Sequence, residues 1–212
     1  MKKYIYLLTT LVSLSFSSAM AANKPIAETQ EQVAPLLNGQ TIPSVIAQTI
    51  DGKDVDLKET LTGKKSILFF YRGGWCPFCN TQMGQLKQIE PQLKAMGFQL
   101  IGISTDAPAD LQKSIKDMSL EYDLLSDYNS NVSQAFGLAF FTSQKVTDRY
   151  LAAMKLGNPL QKNAAGEPRL VLPVPAIYVV DENALVQFSY VNPNFRVRLH
   201  EDLLLLAAKL VK

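Results

Sequence analysis

Cysteine, histidine and tryptophan are scarce in this 212-residue chain, which has two, one and one of them. A zinc site needs about four ligands. Two cysteines and the distant His200 do not supply them, so no metal is expected, and no cofactor either. A disulfide framework is excluded as well. Cys76 and Cys79 fall within four residues of each other, and a bridge across so small a loop removes little entropy from the unfolded chain. The pair therefore asks for a chemical explanation. A charge excess is also missing. The chain holds 21 basic and 19 acidic residues, and without Lys2 and Lys3 the two counts are equal. That balance gives no reason to expect a nucleic-acid partner.

No apolar run reaches the roughly 20 residues of a spanning helix. The longest begins the chain. Lys2 and Lys3 precede a mostly apolar stretch from Tyr4 to Phe16, and Ala19-Met20-Ala21 follows with small residues at the positions a signal peptidase reads. The expected organisation is a signal peptide at 1–21 and a single domain at 22–212. After cleavage the chain would be periplasmic, with no membrane attachment.

Beyond Ala22 the pattern alternates between strands and helices. A short helix is expected over Thr29–Leu37, then a hairpin from Ser44 to Leu57 turning at Asp51-Gly52. Ser66–Tyr71 is a continuous apolar run between turns, the mark of a strand buried on both faces. After Gly73-Gly74 the period changes. Met83, Leu86, Ile89 and Leu93 fall three or four apart on a helix that Pro91 should kink and Gly97 should end. Further strands are expected at Phe98–Ser104, Tyr122–Leu125, Ala176–Val180 and Leu185–Val191. Helices are expected at Ala109–Met118, capped by Asp106 or a neighbour, at Asn131–Phe136 and at Glu201–Val211. Residues 138–172 read as an insertion, with a helix near Asp148–Lys155. The fold class is α/β: a central mixed β-sheet flanked by helices, with the insertion before the last two strands.

Trp75-Cys76-Pro77-Phe78-Cys79 sits where a buried strand hands over to a helix. Unpaired N–H groups and the helix dipole favour an anion at a helix N-terminus, so Cys76 should have a lowered pKa and react as the thiolate. Pro77 suits a first-turn position. Cys79, three residues on, is within reach to attack a mixed disulfide or a sulfenic acid formed on Cys76.

Phe69-Phe70-Tyr71-Arg72-Gly73-Gly74-Trp75-Cys76-Pro77-Phe78-Cys79 resembles the active-site segment of the thioredoxin-like superfamily. In particular it resembles the peroxiredoxin-like branch of the alkyl hydroperoxide reductase/thiol-specific antioxidant (AhpC/TSA) family. Pro173–Asp181 resembles the family's later strand and turn. The resemblance implies a thioredoxin-like fold, with Cys76 as the attacking cysteine and Cys79 as the resolving one. Pro175 is implied to be a cis-proline facing them, and a thioredoxin-type donor to restore the dithiol. Three positions depart from the pattern. Peroxiredoxins usually carry Thr or Ser three residues before the attacking Cys, Pro seven before it, and Arg just before the later strand. Here these are Gly73, Phe69 and Pro175.

The resemblance points to reduction of hydroperoxides, and the departures point to exchange with protein disulfides. The same two sulfurs serve both. A redox-inactive binding module with the same fold is a third reading, against which the intact pair stands. Arg72 or Arg149 could replace the missing Arg electrostatically, although Arg72 also fits a solvated strand-end charge. Trp75 is expected as a lid over the sulfur. Tyr150 and Met154 are candidates for a substrate surface, and His200 for a solvated residue at the start of the last helix.

Overall fold

The computed structural model describes residues 24–211; the expected signal segment and its cleavage point lie outside the described residues. A single 3-10 turn at Gln30–Gln32 opens the described chain. It is shorter than the expected helix because Pro35 disfavours helical geometry at Ala34. The strand-like chain that follows is tied down by Leu36 N–H donating to Phe136 O at 3.1 Å. The elements then run β1 (Ile46–Gln48), β2 (Asp54–Asp56), α1 (Leu57–Leu61), β3 (Lys65–Tyr71), α2 (Pro77–Ala95), β4 (Phe98–Ser104), α3 (Pro108–Met118), β5 (Asp123–Ser126) and α4 (Asn131–Ala135). After these come β6 (Ala139–Phe141), α5 (Gln144–Met154), β7 (Gln161–Lys162), β8 (Pro168–Arg169), β9 (Val171–Pro173), β10 (Ala176–Val180), β11 (Val186–Val191) and α6 (Glu201–Leu210).

Seven strands form the main sheet, in the order β11-β10-β3-β4-β5-β1-β2. The β3, β4 and β5 strands are parallel, and the outer pairings are antiparallel. Strand β3 lies inside the sheet, with Phe70 facing Ala176 on one side and Ile103 on the other. Its apolar run is divided by the pleat. Ile67, Phe69 and Tyr71 join the core under α2, α3 and α6, with Met83, Leu111 and Leu204. Leu68 and Phe70 join the opposite core, with Leu57 of α1 and Val132 of α4. Burial on both faces fixes where β3 ends, and so where the chain emerges at Arg72.

Helix α2 runs continuously through Pro91, and Gly97, at φ 85°, turns the chain into β4. The segment expected as an insertion carries β6 through β9 and α5. It makes two two-stranded sheets of its own, β6 with β9 and β7 with β8. The cis assignment for Pro175 is corrected: no cis peptide bond occurs among the described residues. The trans form is favoured by about 0.5–1 kcal/mol for an X–Pro bond. It carries the chain directly from β9 into β10, with Pro175 O accepting from Asn192 N–H at 3.2 Å.

Candidate active site

The loop from β3 to α2 is held by hydrogen bonds to its backbone groups. Thr105 Oγ1 donates to Arg72 O at 3.3 Å, and Cys76 N–H donates to Gly73 O at 3.0 Å. Gly74 N–H donates to the Asp106 carboxylate at 2.7 Å, and Asn80 Nδ2 donates to Gly74 O at 2.8 Å. Asp106 therefore does not cap α3. Ala107 takes that place without a side-chain bond, and Pro108 follows it. Burial pushes the Asp106 carboxyl up to about 6, while the Gly74 N–H pulls it back. Gly73 has φ +151° and lies against Trp75 and Asp106. A Cβ there would come within 2.2 Å of Trp75 Nε1.

Cys76 is the N-cap of α2, and its carbonyl accepts from both Cys79 and Asn80 N–H at 3.0 Å. Both cysteines are free and buried, at 2% and 0% exposure. Cys76 is lowered to about 6, first by a hydrogen bond from the Cys79 side chain. The Cys79 backbone N–H and the charges of Arg198 and Arg72 add to this, against the opposing effect of burial. The helix start gives the Cys76 side chain no capping hydrogen bond, and the partner sulfur is the larger influence on it. Cys79 moves the other way. Burial raises its pKa, and the hydrogen bond to Cys76 and the charge there raise it further. The two thiols are thereby split into an anion and a proton donor.

Arg72 is not a solvated strand-end charge. It is 4% exposed, and its guanidinium lies 4.3 Å from the Phe195 ring centroid and 5.6 Å from that of Tyr150. Arg149 is exposed on α5 and takes no part in the site. Trp75 packs edge-on against Tyr150, with centroids 4.9 Å apart, and joins the core that holds both cysteines. It also meets Phe140, Leu170 and Leu172 of the inserted segment, so that segment forms a wall of the site. A cavity of about 370 Å³ opens beside Arg72, lined by Phe140, Phe141, Val146, Tyr150 and Phe195. Met154 lines a second cavity of about 450 Å³ with Trp75 and Asp106. Pro175 is buried one residue before the Ala176–Phe70 pair, at the end of β3 from which Arg72 emerges. His200 is exposed at the N-cap of α6, as expected, and accepts from Asp202 N–H at 3.3 Å. Sequence reasoning missed Arg198, whose Nη2 donates to Cys79 Sγ at 3.3 Å.

The AhpC/TSA family profile matches residues 38–189. The chain belongs to the AhpC/TSA family. It is similar to the putative peroxiredoxin bcp of Haemophilus influenzae, 34% identical over 104 residues, which are 49% of this chain and 66% of that protein. It is also similar to the chloroplastic peroxiredoxin Q of Gentiana triflora, 28% identical over 169 residues, covering 80% of this chain and 65% of the relative. The matched stretches thus span slightly under two thirds of these relatives. Among solved structures, a reduced Prx3 in complex with H2O2 from Vibrio vulnificus superposes with a TM-score of 0.66. That match has 18% identity and covers 82% of this chain and 99% of the other. Peroxidoxin BcpB of Mycobacterium tuberculosis gives 0.62 at 19% identity, covering 82% and 97%. This family member therefore has the thioredoxin-like fold expected from its sequence.

Proposed function

We propose that this AhpC/TSA-family protein is a thiol peroxidase that reduces hydroperoxides through Cys76 and Cys79. The observation that carries the reading is the placement of Cys76: it caps the N-terminus of α2 one turn from Cys79, in a site that leaves it only 2% exposed, with its pKa lowered and that of Cys79 raised. A sulfur so enclosed can be met by the terminal oxygen of a hydroperoxide. A protein disulfide needs far wider access. The relatives named as peroxiredoxins support the same choice.

In the first step the Cys76 thiolate attacks the terminal peroxide oxygen. The S–O bond forms, the O–O bond breaks, and the leaving alkoxide takes a proton from solvent to give the alcohol or water. Cys76 is left as a sulfenic acid. Its negative charge has gone, and with it two of the influences that kept Cys79 protonated. Cys79 then attacks the sulfenic sulfur, the S–S bond forms, and water leaves with the Cys79 proton. A thioredoxin-type dithiol returns the pair to its reduced form by exchange. The charge change on Cys76 thus times the second step after the first.

The test is to add equimolar hydrogen peroxide or a small organic hydroperoxide to the reduced protein. Wild type should consume it and end as the Cys76–Cys79 disulfide. Cys79→Ser should stop at a sulfenic acid that a dimedone-type reagent traps by mass. No peroxide loss in wild type, together with a protein partner captured as a mixed disulfide on Cys79→Ser, sinks the reading in favour of disulfide exchange. The N-terminal pattern supports periplasmic export with cleavage after Ala21. A chain retained in the cytoplasm with Lys2 and Lys3 intact would refute that.

A further inference from the structure

We infer that Arg198 is a catalytic residue of the resolving step, holding Cys79 as the attacking thiolate when it closes on the oxidised Cys76. This rests on the proposed two-sulfur cycle and assigns one of its steps. The Arg198 guanidinium reaches Cys79 from the loop between β11 and α6, 119 residues away in sequence, and Nη2 donates to Sγ at 3.3 Å. No carboxylate pairs with Arg198 among the described residues. Its Nε and Nη1 are buried with no partner. A cation sheltered from water is unfavourable without an anion beside it, and in the reduced pair that anion is the Cys76 thiolate, which the Arg198 charge helps to hold. Once Cys76 is oxidised that charge is gone, and the sulfur Arg198 touches is the one left to carry it. A charge-assisted N–H···S⁻ bond is stronger than the neutral one it replaces, so Arg198 favours the state in which Cys79 attacks. On reductive opening at Cys76, the same guanidinium stabilises Cys79 as the leaving thiolate.

In the resolving step, Cys79 S⁻ forms a bond to the Cys76 sulfur and the S–O bond of the sulfenic acid breaks. The departing hydroxide takes up the proton that Cys79 released, giving water, with no change of oxidation state outside the two sulfurs. Arg198 contributes charge and transfers no atom.

The experiment separates the two steps in Arg198→Met and Arg198→Lys. Reduced protein is mixed rapidly with hydrogen peroxide, and Trp75 emission follows sulfenic acid formation and then disulfide closure. In parallel, methyl methanethiosulfonate places a methylthio group on Cys76 without peroxide, and mass spectrometry follows its displacement by Cys79. Read well above the pH at which Cys76 ionises, so that losing the Arg198 charge still leaves that sulfur a thiolate, Arg198→Met should slow both closures by about tenfold or more and the peroxide step less than closure, with Arg198→Lys recovering part of the loss. Unchanged closure in Arg198→Met, or a peroxide step slowed as much as closure, overturns the assignment. Should wild type prove inert to peroxide, the peroxidase reading fails, and the methylthio displacement still decides the role of Arg198. Arg198→Lys keeps the charge and is the variant to read if Arg198→Met does not fold.

Discussion

Cys76→Ser should abolish hydroperoxide consumption, with a fall of at least about a thousandfold. A serine hydroxyl fits the same N-cap position but does not ionise near neutral pH, so the nucleophile is lost while the local fold is kept. Serine is a favoured N-cap residue, and the variant should melt close to wild type. Peroxide loss under pseudo-first-order conditions is the readout. A variant that retains a substantial fraction of the rate would show that another group reacts with peroxide, and the cycle described here would not be the working one.

Gly73→Ala should produce the second large effect, this time through the backbone. Gly73 holds φ +151°, a conformation an L-residue adopts at a cost of about 1–3 kcal/mol. Its new Cβ would also stand 2.2 Å from Trp75 Nε1 and 2.5 Å from Asp106 Oδ1. Neither neighbour is free to yield. Trp75 is wedged between Tyr150 and the cysteine core, and the Asp106 carboxylate holds Gly74 N–H. The variant should therefore lose roughly 2–3 kcal/mol in urea titration. Its peroxide reduction should fall by about tenfold or more, because the loop that sets Cys76 is displaced. Gly84→Ala is the contrast. That residue lies within α2 with no atom near the added methyl, so the exchange should gain about 0.5–1 kcal/mol. Equal stability of the two variants would mean that the β3–α2 loop is not constrained as described.

The fold was legible wherever a local pattern carried it. The apolar run of β3, the three-and-four spacing of α2 and the Gly97 stop are nearest-neighbour signals, and the structure places these elements within a residue or two of where the spacing puts them. The two cysteines were legible because a strand end, a proline and a helix start coincide within a few residues. Arg198 was not. Its contact with Cys79 exists only after α6 has packed beside α2, and nothing around Phe195–Leu199 marks that loop as part of a redox site. Of the expected cap, Asp106 or a neighbour, the structure uses the neighbour Ala107. The role of Asp106 itself was not legible, because only the parallel β3–β4 pairing brings it beside Gly74. Arg72 had two readings that sequence could not separate, because Phe195 and Tyr150 come to it from distant segments. Pro175 followed the resemblance to its fold relatives, and the trans chain from β9 to β10 departs from it.

Reactivity in this account depends on the reduced pair sharing one negative charge, held on Cys76. Titrating the ultraviolet thiolate absorbance of the reduced protein, with Cys76→Ser subtracted to isolate that sulfur, measures this directly. The prediction is an apparent pKa near 6, with the peroxide rate rising along the same curve and levelling above it. A Cys76 that ionises only around 9, as an unperturbed thiol does, would contradict the account.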